Sequence, residues 1–286
     1  MRAFTRSAFV SAVRLSPLVG SALVLAAALA AGSARAGNPV AVIVLKEHGI
    51  GSPTQAQPYL NQFVTMAAQQ NGWAGAKGQY QTKRGEARTW IGAEKPNYGI
   101  FTLAAFLDLK GAYGLEPIGS ATLANGGGEY YFVVSKNATN IDGCKGKPLA
   151  TDHFDDPKFI EKVVARGVFT AQDFALVPTT RFGEAGRKVL NDQAECALID
   201  DAQLADLMKT PGAAAIKKAW SSNQLPPMVV AAFQWAPAAE KTAFQASLPK
   251  ICQGSGQQIC AQVGLQTLGT ASAQTYQSIV TAYNKP

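Results

Sequence analysis

Short apolar, β-branched runs alternate with segments of helical periodicity along this chain, and that alternation limits the fold classes open to it. The first run, Val40–Leu45, is continuously apolar, which is typical of a strand buried on both faces of a sheet. Leu60, Phe63 and Val64 then recur at helical spacing. Because the same order of strand and helix recurs towards the C-terminus, the sequence predicts an α/β fold.

The first 36 residues have the pattern of a cleavable secretory signal peptide. Three arginines precede an apolar run over residues 18–31, and residues 33–36 present the small side chains that signal peptidase recognises. We expect cleavage after Ala36, the alternative being an uncleaved amphipathic anchor. No cysteine stands near this junction, so we expect no lipid anchor and a mature protein that is free in solution outside the cytoplasmic membrane.

The charge of the mature chain argues against a polyanionic partner. The leader contains four arginines, at positions 2, 6, 14 and 35, so the 26 Lys and Arg residues fall to 22 against 19 Asp and Glu, a net charge of +3. The densest basic clusters are the pairs Lys83-Arg84 and Lys217-Lys218. We therefore expect no nucleic-acid partner.

Four cysteines, an even number, predict two disulfides in an oxidising compartment. Of the three possible pairings we favour Cys252 with Cys260, which closes a short polar loop, and Cys144 with Cys196, each of which precedes an apolar run. The sequence has no CxxC motif and no histidine close to a cysteine. We expect no metal site and no cofactor.

Four segments, in this order and spacing, resemble one family. Residues 131–138 are similar to a strand and turn of that family, and residues 141–150 to the start of its second lobe. Residues 191–200 with Ala202 are similar to a segment of the family that runs from an acidic residue through apolar residues to an aspartate. Residues 228–231, which follow two prolines, are similar to the family's return strand. Together they resemble the phosphate/phosphonate-binding branch of the periplasmic solute-binding proteins of ABC importers.

The resemblance implies a two-lobed type II periplasmic binding protein fold, in which each lobe is a mixed or parallel sheet flanked by helices. Lobe one would comprise residues 37–124 and 236–286, and lobe two residues 125–235. Two chain segments would form the hinge, with Gly126 to Gly128 in the first. Such proteins are monomers that close on a small ligand, which here would be a phosphonate- or phosphate-like oxyanion or another small polar molecule, and deliver it to an ABC permease in the inner membrane.

Candidate ligand contacts in lobe one follow the first strand and flank a later one. The turn over residues 51–54 precedes a helix, where free N–H groups favour an anion and where Ser52 and Thr54 add hydroxyl groups. The alternative is a simple N-cap. Tyr98 and Thr102 bracket a short strand, where the resemblance implies an aromatic or hydroxyl contact; an ordinary core tyrosine is the alternative.

The candidate contacts in lobe two are unusual for the family, because its serine/threonine-rich anion loop is acidic here. Asp152 and His153 occupy that loop, and two further aspartates follow. Carboxylates repel a bound dianion, so a cationic, zwitterionic or neutral ligand gains plausibility. Arg181 would supply balancing positive charge, and Asp200, which ends another strand, is favoured over Asp201 as a cleft residue.

An enzyme is the main rival class. The chain has two histidines and lacks the GxSxG, HExxH and GxGxxG motifs. We therefore predict a binding protein and not an enzyme. The alternatives are a binding protein that serves a sensor or another transporter type, and an exported hydrolase that uses a pair of carboxylates such as Asp152 and Asp200.

Overall fold

The computed structural model describes residues 39–48 and 52–285, which form two β-sheets flanked by helices. The strands are β1 (Val40–Leu45), β2 (Ala76–Gln81), β3 (Tyr98–Phe101), β4 (Glu116–Leu123), β5 (Tyr131–Ser135), β6 (Pro148–Thr151), β7 (Ala175–Pro178), β8 (Cys196–Asp200), β9 (Lys217–Ser221), β10 (Met228–Ala232) and β11 (Leu265–Thr270). The helices are α1 (Pro53–Asn71), α2 (Arg84–Glu94), α3 (Leu103–Tyr113), α4 (Pro157–Phe159), α5 (Glu184–Leu190), α6 (Asp201–Leu207), α7 (Ala238–Ile251), α8 (Gly256–Gln262) and α9 (Ala273–Asn284). A π-helical turn, Ile160–Val164, continues α4.

The first sheet has six strands in the order β11-β4-β10-β3-β1-β2. Strand β1 is parallel to β2 and β3, whereas β10 is antiparallel to β3 and β4. Strands β1, β3 and β10 are buried along their whole length. That burial explains why the sequence of β1 is continuously apolar instead of alternating.

The second sheet has five strands in the order β7-β6-β8-β5-β9. Strand β6 is parallel to β7 and β8, and β5 is antiparallel to β8 and β9. The two mixed sheets with flanking helices confirm the predicted α/β fold.

The chain crosses between the sheets twice, over residues 124–130 and 222–227. The two crossings lie side by side, because Leu225 N–H donates to the Glu129 carbonyl oxygen at 2.8 Å and Ser222 N–H donates to that of Tyr131 at 2.8 Å. In the first crossing three consecutive glycines have positive φ, the largest being 119° at Gly127. Residues other than glycine rarely adopt that backbone conformation.

The second crossing comes earlier in the chain than the sequence predicted. We expected residues 125–235 to form lobe two, which assigned the strand at Met228–Ala232 to that lobe. In the structure this strand is hydrogen-bonded between β3 and β4 of the first sheet. Pro226 and Pro227 directly precede it, and because proline cannot donate a hydrogen bond to a neighbouring strand, the strand begins after them.

Both expected disulfides are present, in the favoured pairing. Cys144–Cys196 joins a 3₁₀ turn to β8 of the second sheet, and Cys252–Cys260 joins the end of α7 to α8 beside the first sheet. The predicted signal peptide lies outside the described residues. Within the part of the chain that the structure describes, no helix has the length and apolarity to cross a membrane.

Candidate functional site

A cavity of about 290 Å³ lies between the two sheets and is lined by residues from both. In α/β proteins the carboxyl ends of the strands form the edge at which ligands bind. The chain places polar residues directly after four strands at this edge: Lys46, Glu47 and His48 after β1, Thr102 after β3, Asp152 and His153 after β6, and Asp200 at the end of β8. The site is therefore assembled from strand ends of both sheets.

Two histidines and an aspartate meet in this cavity. Nδ1 of His48 lies 3.7 Å from Oδ2 of Asp152, and Nε2 of His153 lies 3.8 Å from Oδ1 of the same carboxylate. The imidazole rings of His48 and His153 are 4.7 Å apart and edge-on. His48 has a left-handed backbone with φ 58°, which is uncommon outside glycine and is found repeatedly at functional sites.

His153 is buried among aromatic rings and is incompletely hydrogen-bonded. Its Nε2 lies 3.2 Å from the Tyr131 hydroxyl, and its ring contacts that of Phe159. Its Nδ1 is buried and has no partner among the described atoms. Burial, with the nearby charges of His48 and Arg84, lowers the pKa of His153 well below its usual value. The imidazole is therefore neutral at neutral pH.

Asp200 and Asp201 are neighbours with different roles. Asp200 lines the cavity and caps α6, accepting a hydrogen bond from Gln203 N–H at 2.8 Å. Burial, with the negative charges of Asp152 and Asp201, raises the pKa of Asp200 to about 7. The Asp201 carboxylate instead accepts hydrogen bonds from the backbone N–H groups of Gly127, Glu129 and Tyr130, and so fixes the first crossing.

Arg84 holds together two carboxylates at one side of the cavity. It donates to Glu47 from Nε at 2.7 Å and from Nη2 at 3.0 Å, and to Asp156 from Nη1 at 2.7 Å. Burial opposes the charge of Arg84, but the two carboxylates outweigh it and raise its pKa. The Thr102 hydroxyl also donates to Glu47. The guanidinium thus spans from the end of β1 to the first residues of α4.

The charge of the lining is predominantly negative. Lys46 is the cavity's only lining lysine or arginine among the described residues, and burial lowers its pKa while Asp200 partly offsets that effect. Against it stand the carboxylates of Glu47, Asp152 and Asp200. Of these, Glu47 is neutralised by Arg84.

Four of the eight predicted ligand contacts line the cavity, and four do not. Thr102, Asp152, His153 and Asp200 line it. Ser52 is the N-cap of α1 and is exposed, as is Thr54. Tyr98 begins β3 and does not end it, so it lies at the other end of the strand, where its hydroxyl donates to Glu240 at 2.9 Å and its ring contacts Trp73. Arg181 is exposed, and its neighbour Phe182 lines the cavity instead.

Four lining residues were not predicted from the sequence: Lys46, Glu47 and His48, which directly follow β1, and Tyr131, which begins the antiparallel strand β5. The first three could have been predicted from their position in the sequence. The rule that ligands bind beyond the carboxyl ends of strands points first to the residues immediately after β1, whereas we applied it to residues 51–54, several positions later. Tyr131 had no such signal, because it starts its strand and reaches this edge only through antiparallel pairing.

Two mixed sheets joined by two crossings, with a polar cavity between them, make up the fold of the periplasmic binding proteins of ABC transporters. The binding protein component of an ABC phosphonate transporter from Pseudomonas aeruginosa is similar, with TM-score 0.63, 13% identity and 85% coverage of both chains. PhnD1 from Prochlorococcus marinus, in complex with methylphosphonate, has TM-score 0.60 and 11% identity, covering 85% of this chain and 96% of its own.

The periplasmic aliphatic sulphonate binding protein SsuA from Escherichia coli has TM-score 0.53 and 10% identity, covering 86% of this chain and 77% of its own. No family model and no curated protein sequence matches the chain. The similarity therefore lies in the fold, and the ligand has to be argued from the site itself.

Proposed function

We propose that this chain is a periplasmic solute-binding protein that captures a small polar molecule by cleft closure and delivers it to an ABC permease. The observation that carries the proposal is the cavity lined from both sheets. A solute seated there contacts strand ends of both sheets only when they are close together, so its binding energy favours the closed arrangement. The fold shared with phosphonate- and sulphonate-binding proteins supports the same role.

In this proposal each sheet is the centre of one lobe. Lobe one comprises residues 37–124 together with the chain that follows the second crossing, and lobe two lies between the crossings. The paired crossings are the hinge. Export through the predicted signal peptide and delivery as a monomer complete the proposed role, and no step of it requires catalysis or a cofactor.

The lining favours a solute that brings positive charge. The structurally similar PhnD1 has methylphosphonate bound, yet here Asp152 and Asp200 line the cavity and Lys46 is its only lysine or arginine among the described residues. The Asp152 carboxylate, together with Asp200 to the extent that it is ionised near neutral pH, would repel a free dianion within a partly desolvated site. We propose that the solute is a cation, a zwitterion or an anion accompanied by a cation.

Thermal denaturation of the exported protein with a panel of phosphonates, sulphonates, amino acids, amines and metal salts tests the proposal. We expect at least one compound to raise Tm in a concentration-dependent manner. Ala202→Phe, on α6, fills the cavity and removes this shift. Ala205→Phe, on the exposed face of the same helix, preserves it. A panel without a single shift, or shifts that survive Ala202→Phe, would refute solute binding in this cavity.

A further inference from the structure

Asp152 is a buried carboxylate whose charge is not balanced by a lysine or arginine. Its side chain is 5% exposed, and the basic side chains within 4 Å of it among the described residues are the imidazoles of His48 and His153, the second of which is neutral. Among the described residues it accepts a close side-chain hydrogen bond from the Gln203 amide at 2.5 Å. A buried charge is costly unless it is paired or coordinates a metal, so this carboxylate indicates a missing cation.

The donor atoms around Asp152 converge as metal ligands do. One atom each from His48, Asp152 and His153 lie within 4.8 Å of one another. Zinc bonds of about 2.0–2.2 Å in a tetrahedral site put donor atoms roughly 3.4 Å apart. The distance of 3.7 Å from Nδ1 of His48 to Oδ2 of Asp152 is close to that value.

The groups behind these three side chains are those that orient metal ligands. A metal-bound histidine usually has its second ring nitrogen hydrogen-bonded, and a metal-bound carboxylate is itself held by a donor. The Tyr131 hydroxyl contacts Nε2 of His153, and Gln203 donates to Asp152. In the tautomer whose Nε2–H donates to Tyr131, Nδ1 of His153 has a free lone pair. This nitrogen is the buried atom without a partner.

We propose that His48, Asp152 and His153 bind a divalent transition-metal ion, for example Zn²⁺, as part of the solute that the cleft captures. This inference rests on the proposed solute-binding function and names the cation that the lining requires. It reverses our sequence-based expectation of no metal. His48 and His153 are 105 positions apart in the chain, so no local spacing motif could reveal them.

The donor types and the room around them define the solute further. Imidazole nitrogen favours zinc, copper or nickel over the oxygen-seeking calcium and magnesium ions. Three protein ligands leave at least one coordination position open. The cavity of about 290 Å³ exceeds the roughly 30 Å³ that one water occupies in the liquid, so a chelating molecule has room beside the ion.

His48 follows β1 of the first sheet, whereas Asp152 and His153 follow β6 of the second. An ion bound by all three therefore joins the two sheets. The ion can contact all three side chains only in a conformation that brings the strand ends of the two sheets together. Its binding free energy therefore favours that closed conformation, as ligand-driven closure requires. The metal site and the closing motion are thus coupled by geometry.

The test is calorimetric titration of the EDTA-treated exported protein, purified without a histidine tag, with ZnCl₂, NiCl₂, CaCl₂ and MgCl₂. We expect one zinc or nickel ion per chain and no heat from calcium or magnesium. His48→Gln and Asp152→Asn are expected to weaken zinc binding at least tenfold. Asp155→Asn, a nearby exposed aspartate that does not line the cavity, leaves zinc binding unchanged.

Cobalt(II) absorption provides a second measurement that does not depend on stability. A visible band that appears with CoCl₂ and is lost in His48→Gln supports the site. Absence of both zinc and nickel binding, or binding that neither His48→Gln nor Asp152→Asn weakens, overturns it. Zinc titrations with and without citrate show whether the captured species is the ion alone or an ion with a chelator, and either result supports the metal site.

The outcomes separate this inference from the proposed function. A metal-free compound that stabilises the EDTA-treated protein, with no stabilisation by zinc, overturns the metal site and leaves solute binding intact. Absence of stabilisation by every organic compound and by every metal salt refutes both.

Discussion

Asp200 is the carboxylate whose environment most alters its proton affinity. It is buried at the end of β8 and faces Asp152 and Asp201, with Lys46 and Tyr131 also within its electrostatic reach. Its pKa is raised from 3.8 to about 7 in the folded protein. At a pH between these two pKa values, Asp200 keeps its proton in the folded state but has lost it in the unfolded state. Its stabilising contribution is therefore complete below about pH 4 and is lost as the pH rises towards about 7.

Asp200→Asn tests this titration while preserving an N-cap side chain. We expect the free energy of unfolding of the wild type, measured in urea, to fall relative to that of the variant between pH 4.5 and pH 8, by up to about 4 kcal/mol. Asp155→Asn, at an exposed position, is the control and produces no such pH-dependent difference. Parallel curves for wild type and Asp200→Asn would contradict the raised pKa.

The predicted ligand contacts that line the cavity share one property. Thr102 and Asp152 directly follow a strand, His153 is one position later, and Asp200 ends one. Strand ends are readable from an apolar run, so their position at the ligand edge is predictable. Tyr98 was misplaced because a strand has two ends and its apolar pattern does not show which end faces a ligand.

The element that positions the first crossing is the N-terminus of α6. The Asp201 carboxylate accepts three backbone hydrogen bonds from residues 127–130. Removing it leaves those N–H groups without their acceptor, and we expect Asp201→Ala to lower the free energy of unfolding by about 1–3 kcal/mol. Asp206→Ala, on the same helix, removes only a half-exposed ion pair with Arg187 and changes stability little. Equal effects of the two substitutions in urea denaturation would show that Asp201 does not hold the crossing.

The two disulfides close loops of very different length. Cys144–Cys196 spans 52 residues and Cys252–Cys260 spans 8. In the chain-entropy account these loops correspond to about 4 and about 2.5 kcal/mol of stabilisation through the unfolded state. Replacing the first pair with alanine is therefore expected to lower the urea midpoint more than replacing the second. The reverse order would mean that native packing, and not loop closure, sets their contributions.

Sheet membership was harder to predict than the order of elements. The alternation of apolar runs with helical periods gave the correct α/β class, because burial imposes a period on each segment separately. Strand β10 was assigned to the wrong lobe because its sequence, a continuous apolar run, suits the centre of either sheet. Its hydrogen-bonded neighbours, β3 and β4, are more than 100 positions away in the chain, and pairing over that distance leaves no local signal.

At the scale of the whole molecule, the two sheets are joined by apolar and by charged contacts. One apolar cluster contains Phe106 and Tyr276 beside the first sheet and Tyr131 and Phe159 of the second. The amino group of Lys158 lies 4.2 Å from the centre of the Tyr283 ring. Beside the cavity, Arg84 bridges Glu47, which follows β1, and Asp156, which caps α4. Among these contacts, the bridge to Asp156 is the one that a single isosteric substitution removes.

Asp156→Asn keeps an oxygen for the Phe159 N–H but takes away the charge that pairs with Arg84. A charge-assisted hydrogen bond contributes about 1.5 kcal/mol or more, so we expect roughly tenfold weaker binding of the solute identified by thermal denaturation. Small-angle scattering without solute is expected to show a larger radius of gyration, because open molecules become more populated. Asp173→Asn is the control, since Asp173 accepts a hydrogen bond from its neighbour Thr170 within the second lobe. If Asp156→Asn leaves both affinity and radius of gyration at the control values, Arg84 stabilises its own surroundings and not the closed cleft.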